Sequence, residues 1–238
     1  MDDNDPLILT QTPTARRPLL GLTILVVEDS RYACETMRLM CLRSGARIRR
    51  ADCLRSARRH LQVYRPSAVI VDMGLPDGSG VDLIEELANA SPRVSGLLGI
   101  SGDPENADMA INAGADGFLE KPLHSLAEFQ QAVLAVMPMS RRPLGPRVIA
   151  DTEINPDPMA YRDDMNHVAS LLDDHQDGPV LDYVAQFLSG VARSARDTAL
   201  ADAARNLSVD RAKGQTPPEA VPALLEMVQD RITRKIAI

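Results

Sequence analysis

The chain has 238 residues, 26 Lys and Arg against 33 Asp and Glu for a formal net charge of −7, and 45% hydrophobic residues. That length suits one large domain or two modest ones and excludes a peptide-sized scaffold. With four Tyr, three Phe and no Trp, any core is aliphatic, aromatic platforms for stacking bases are scarce, and the acidic balance repels phosphate backbones unless positive charge is gathered in one place.

The first twenty residues open acidic, lack the basic-then-apolar order of a signal peptide and read as a flexible tail. Short apolar runs follow at 23–27, 47–51, 68–71, 95–100 and 117–119. Several are apolar at consecutive positions, as expected of strands covered on both faces. Between them lie helical stretches near 30–44, 53–64, 79–90, 104–114 and 124–137. In the first, Ala33, Met37, Met40, Cys41 and Ser44 share one helical stripe, and Gly45 and Gly114 stand where left-handed helix ends are expected. Five strand-then-helix units predict an α/β fold, a doubly wound parallel sheet of five strands, over 21–138. Cys34, Cys41 and Cys53 are odd in number and lack metal-ligand spacing, so they are expected as reduced thiols in a cytoplasmic protein. No apolar run approaches the ~20 residues that cross a bilayer.

Residues 138–146 hold three Pro and one Gly and open a linker expected over 139–157. Beyond it a smaller all-α region is predicted over 158–238, with helices near 158–174, 179–206 and 217–236. In the middle one Leu181, Val184, Leu188, Val191, Ala195 and Ala199 form a long apolar stripe. Three such helices predict either a small bundle or a homodimer through the long helix.

In a doubly wound sheet, sites lie beyond the carboxyl ends of the strands. Those ends carry Glu28 and Asp29, then Asp72, then Ser101 and Gly102, then Lys121 and Pro122. Clustered carboxylates require a positive partner, and hard oxygen ligands with open water positions suit Mg²⁺. Lys121 and Ser101 offer an ammonium and a hydroxyl suited to holding a phosphoryl group.

Four segments, ILVVED at 24–29, VIVDMGLPDGSG at 69–80, GISG at 99–102 and GADGFLEKP at 114–122, together resemble the receiver domain of two-component response regulators, which has a CheY-like, flavodoxin-like fold. The resemblance covers 21–138, about half of the chain. It implies that Asp72 takes a phosphoryl group from the phosphohistidine of a sensor histidine kinase or a histidine phosphotransfer protein. By the same resemblance Glu28, Asp29, Asp72 and the backbone carbonyl of Gly74 would hold Mg²⁺, Lys121 would pair with the phosphoryl group, and the bond before Pro122 would be cis. Ser101 and Phe118 match the family's switch pair, with Phe118 lacking the hydroxyl of the more usual Tyr. Gly74 and Asp103 match positions that tune phosphoryl lifetime. Beyond its own phosphorylation and dephosphorylation the chain is expected to catalyse nothing.

The helical region is net acidic and carries no motif of a cyclase, phosphodiesterase or methylesterase. It is expected to act as a protein-interaction or dimerisation module controlled from Asp72. One alternative is a DNA-binding output, for which 200–213 has a faint helix-turn-helix spacing, although nucleic acid is disfavoured by the charge. The other is phosphotransfer through His167 or His175. Between Arg31 and Arg65, ten Arg against Glu35 and Asp52 give +8, leaving −15 elsewhere. This uneven distribution points to docking of an acidic protein partner, or of the acidic helical half of this chain or of its dimer mate.

Overall fold

The computed structural model describes residues 12–145, 154–174, 178–214 and 217–234. The first stretch contains β1 (Thr23–Val27), α1 (Arg31–Ser44), β2 (Arg47–Ala51), α2 (Leu54–Val63), β3 (Ala68–Asp72), β4 (Gly74–Leu75), β5 (Gly78–Ser79), α3 (Gly80–Ala88), β6 (Gly96–Ser101), α4 (Asn106–Asn112), β7 (Gly117–Glu120) and α5 (Leu126–Val136). Five of the strands form a parallel sheet in the order β2-β1-β3-β6-β7, while β4 and β5 make a small antiparallel hairpin after β3.

Alternation along β1 explains the two layers of core. Ile24 and Val26 pack with Met37, Met40, Phe129 and Val133 beneath α1 and α5. Leu25 and Val27 face the other way, onto Val69, Val71, Leu83, Ile84 and Leu97. All are fully buried or nearly so, and burying each aliphatic side chain contributes roughly 1.5–3 kcal/mol before entropy is counted. Helix α1 starts at Ser30, whose Oγ accepts a hydrogen bond from the amide of Ala33 at 3.0 Å. It ends at Gly45, where φ is +87°, a left-handed turn that favours a residue without a Cβ. The edge strand β2 has a single neighbour and exposes Arg47, Arg49 and Arg50.

The packed structure begins before residue 21. Leu19, expected in the tail, is fully buried in the α1–α5 layer and its amide bonds the Ser44 carbonyl at 2.9 Å. Ile154, expected in the linker, is buried in the same layer. Residues 146–153 lie outside the described residues.

The helical half contains α6 (Pro158–Asp174), α7 (Gly178–Ser194), α8 (Thr198–Ala212) and α9 (Ala220–Thr233). The single helix expected over 179–206 is two helices. Arg196 adopts φ +59°, which interrupts the helix, and the side chain of Asp197 restarts it by accepting from the Leu200 amide at 3.1 Å. Asp197 also accepts from Tyr161 Oη at 3.0 Å and pairs with Arg231 at 2.9 Å, tying the break to α6 and α9. The apolar stripe is correspondingly cut: Leu181, Val184, Leu188 and Val191 are buried inside the bundle, whereas Ala199 is exposed. That stripe therefore packs within the chain and offers no continuous dimer surface. Residues 200–212 form one uninterrupted helix, so the faint helix-turn-helix spacing corresponds to no turn.

Among the described residues, no helix is long and apolar enough to cross a membrane. Cys34, Cys41 and Cys53 are free thiols.

Candidate functional site

The parallel sheet brings β1 and β3 side by side with Val27 opposite Val71. The residues that follow, Glu28 and Asp29 from β1 and Asp72 from β3, consequently share one rim. One oxygen from each lies within 4.8 Å of the others. Lys121, just past β7, extends its Nζ to 2.5 Å from Glu28 Oε2 and 3.1 Å from Asp72 Oδ2. The Lys121–Pro122 bond is cis.

Glu28 is 1% and Asp72 8% exposed, so solvent does little to separate their charges. Burial, reinforced by Glu28, pushes the Asp72 carboxyl up to about 7 against the opposing pull of Lys121. Burial likewise raises Glu28 to about 7, again opposed by Lys121, and raises Asp29 to about 6, with Asp72 adding to the effect. Burial disfavours the Lys121 ammonium, yet the surrounding carboxylates outweigh it and hold its pKa above the usual lysine range. One ammonium therefore compensates three crowded carboxylates only in part. A donor set of hard oxygens with excess negative charge fits a divalent cation such as Mg²⁺.

Glu28, Asp29, Asp72, Gly74, Ser101 and Lys121 all line one cavity of about 880 Å³. Gly74 directs its backbone N–H to Asp72. Ser101 Oγ accepts from the Asp103 amide at 3.1 Å and from Asn106 Nδ2 at 2.9 Å, which turns the hydroxyl toward the start of α4. Phe118 is half-buried against the core layer beneath α4, its ring beside Gly99, and is not among the residues lining the cavity.

The helical half closes over this rim; the charge distribution allows a contact between the Arg-rich face and the acidic helical half, but no motif marks the rim as its place. Tyr183 of α7 donates its phenolic O–H to Asp29 Oδ2 at 2.6 Å. One turn on, the Gln186 amide lies so close to Gly74 that a Cβ there would collide with it. Arg193 donates to the Gly102 carbonyl at 2.7 Å. From α6, Asp164 accepts from Ser30 Oγ at 2.8 Å and from the amides of Arg31 at 2.8 Å and Tyr32 at 3.1 Å, so it satisfies backbone donors at the start of α1. Burial raises the Asp164 carboxyl to about 6 despite these donors. Arg31 adds an ion pair with Asp163 at 3.1 Å.

His167 stacks edge-on against Phe187 at 5.8 Å and does not line the cavity. Burial, with Arg31 nearby, lowers its pKa. His175 lies outside the described residues. No motif announces Tyr183, Gln186, Asp164 or Arg193; Tyr183 carries the nearest thing to a signal, as a large polar-tipped residue beside a continuous apolar stripe.

Residues 24–134 match the family described as the response regulator receiver domain. The chain is 30% identical over 99 residues to the KDP operon transcriptional regulatory protein KdpE of Escherichia coli (strain K12), covering 42% of this chain and 44% of that protein. It is 30% identical over 105 residues to the virulence transcriptional regulatory protein PhoP of Salmonella typhimurium (strain 14028s / SGSC 2262), covering 43% and 46%. The chain thus spans about half the length of the curated relatives it matches. Among solved structures it is similar to the Vibrio cholerae chemotaxis protein CheY4, with 21% identity, a TM-score of 0.45, and coverage of 49% of this chain and 98% of that one.

Proposed function

We propose that the chain is a phosphoacceptor in two-component signalling, with Asp72 as the accepting residue, a reading supported by the match of residues 24–134 to the response regulator receiver domain family. The single observation that carries this is the gathering of Glu28, Asp29, Asp72 and Lys121 within a few ångströms at the ends of three strands. In the reaction a carboxylate oxygen of Asp72 attacks the phosphorus of an N-phosphoryl donor. An O–P bond forms, the P–N bond breaks, and the departing nitrogen takes a proton from solvent. Glu28, Asp29, Asp72 and the Gly74 carbonyl would hold Mg²⁺, which when bound offsets the charge that separates a carboxylate from an incoming phosphoryl group. Lys121, already beside Asp72, supplies a second positive contact for the phosphoryl oxygens. Ser101 would exchange its contact with Asn106 for one with the phosphoryl oxygen, and Phe118 would follow it inward.

Incubation with radiolabelled phosphoramidate and Mg²⁺ tests the assignment. The wild-type chain is expected to acquire base-labile label, and Asp72→Ala to fall to background while keeping its helical content. Persistent label on that variant would sink the reading.

Signal output by way of the helical half, as a protein-interaction module, fits its position over the rim. Phosphotransfer through His167 has no support in the geometry, since α7 faces the cavity with Tyr183, Gln186, Ser189 and Arg193. The names of the relatives favour a second output, regulation of transcription. A salt-dependent mobility shift of duplex DNA, absent at high salt, would favour it; unchanged mobility in low salt would count against it.

A further inference from the structure

Asp72 sits beneath a roof. The cavity of about 880 Å³ is lined on one side by the carboxylate rim and on the other by Tyr183, Gln186, Ser189 and Arg193 of α7. Tyr183 on Asp29, Gln186 against Gly74 and Arg193 on the Gly102 carbonyl hold α7 directly across the carboxylate rim. A phosphoryl group on a small leaving group fits such a space. A phosphorylated imidazole on a folded protein must bring backbone with it, and α7 already stands in that approach. Nor can α7 serve as the donor there: the side chain it sets over Gly74 is that of Gln186, whose amide nitrogen is not nucleophilic. The roof is thus fastened inside the cavity by Tyr183 and Arg193, and outside it by a second set of contacts. Asp164 holds three donors at the start of α1, Asp163 pairs with Arg31, and neither residue lines the cavity.

We propose that the seated helical half makes this site selective for small-molecule phosphoryl donors, phosphoramidates and acyl phosphates, and that a phosphohistidine protein reaches Asp72 only after α6 and α7 lift away from α1. This rests on the reading of Asp72 as the phosphoacceptor and specifies which donors it serves. The α1 end exposed by lifting, with Arg31 released from Asp163, would then be available to an acidic donor protein.

The full chain and its Asp163→Ala/Asp164→Ala variant are offered two kinds of probe: phosphoramidate, and a panel of autophosphorylated sensor-kinase cores. Thermal melts followed by circular dichroism establish that the bundle of the variant remains folded; should it not, Asp164→Asn, which keeps the shape of the side chain, replaces it. Phosphoramidate is expected to label both chains at rates within two-fold. At least one kinase core is expected to label the variant ten-fold or more faster than the wild type, or three-fold with Asp164→Asn. Equal rates for every core would overturn the proposal, as would phosphoramidate labelling that rises in parallel with kinase labelling. Label that survives Asp72→Ala strikes the phosphoacceptor reading instead, so the two failures are distinct.

Discussion

In the sheet half, Glu28, Asp29, Asp72 and Lys121 concentrate buried charge at strand ends, where like charges are held together. In the helical half, Asp164, Asp197, Tyr183 and Arg231 instead satisfy donors and acceptors at helix ends and on the neighbouring half. The first arrangement is under electrostatic stress and is relieved by a cation or a phosphoryl-linked change. The second meets each carboxylate with hydrogen-bond donors and acts by position. Chemistry thus resides in one half and access to it in the other, and perturbations should separate the two.

The largest separation should come from Leu188→Ala. Leu188 is fully buried at the centre of the bundle, and the truncation should cost about 2–5 kcal/mol. Denaturant unfolding followed by circular dichroism should then resolve an early helical transition before the sheet unfolds, with phosphoramidate labelling intact. A single shifted transition would show that the halves unfold together.

Asp164 comes next. Its carboxyl is raised from 3.8 to about 6 by burial, so the folded chain binds that proton more tightly than the unfolded chain does. The resulting stability, about 3 kcal/mol for two units, is fully present below about pH 4 and is lost as pH rises through 6. Asp164→Asn cannot titrate and should flatten that part of the stability profile in urea melts between pH 4 and 7. An unchanged slope would remove Asp164 as its source.

A smaller effect on the other side of the comparison is expected from Gly80→Ala. The added Cβ would collide with the backbone carbonyl of Asp72, and a rigid clash of this kind costs about 1–3 kcal/mol. Phosphoramidate labelling should fall while the melt of the bundle does not move. Gly74→Ala should be mildest, below about 1 kcal/mol, because the colliding group is the flexible end of Gln186. Labelling by phosphoramidate within two-fold of wild type would place Gly74→Ala apart from Gly80→Ala.

Much of the sheet half was legible because its pattern is repeated. The strand at 23–27 is read to the residue, since its consecutive apolar side chains are buried on both faces, and the strand at 47–51 keeps its bounds by pairing with it along its whole length, although three of its five residues are exposed arginines. The rim was legible because acid, hydroxyl and amine recur at matching strand ends. The helical half was less so. Periodicity marks an apolar stripe but not the interruption at Arg196, which depends on one backbone angle and on Asp197 recapping the chain. Charge complementarity admits docking of the acidic helical half, yet its particular contacts were illegible for a related reason: Asp164 and Tyr183 are ordinary polar residues whose meaning arises only when residues more than 130 positions apart meet.

The edge position of β2 has a consequence for how copies of the chain treat one another. Among the described residues no strand pairs with its outer side, which an extended strand could therefore continue into a wider sheet. Arg47, Arg49 and Arg50 stand exposed along that margin, so two copies meeting edge to edge would press three guanidinium groups from each against the other. Such a contact would be opposed by a repulsion that weakens in high salt as screening shortens its reach.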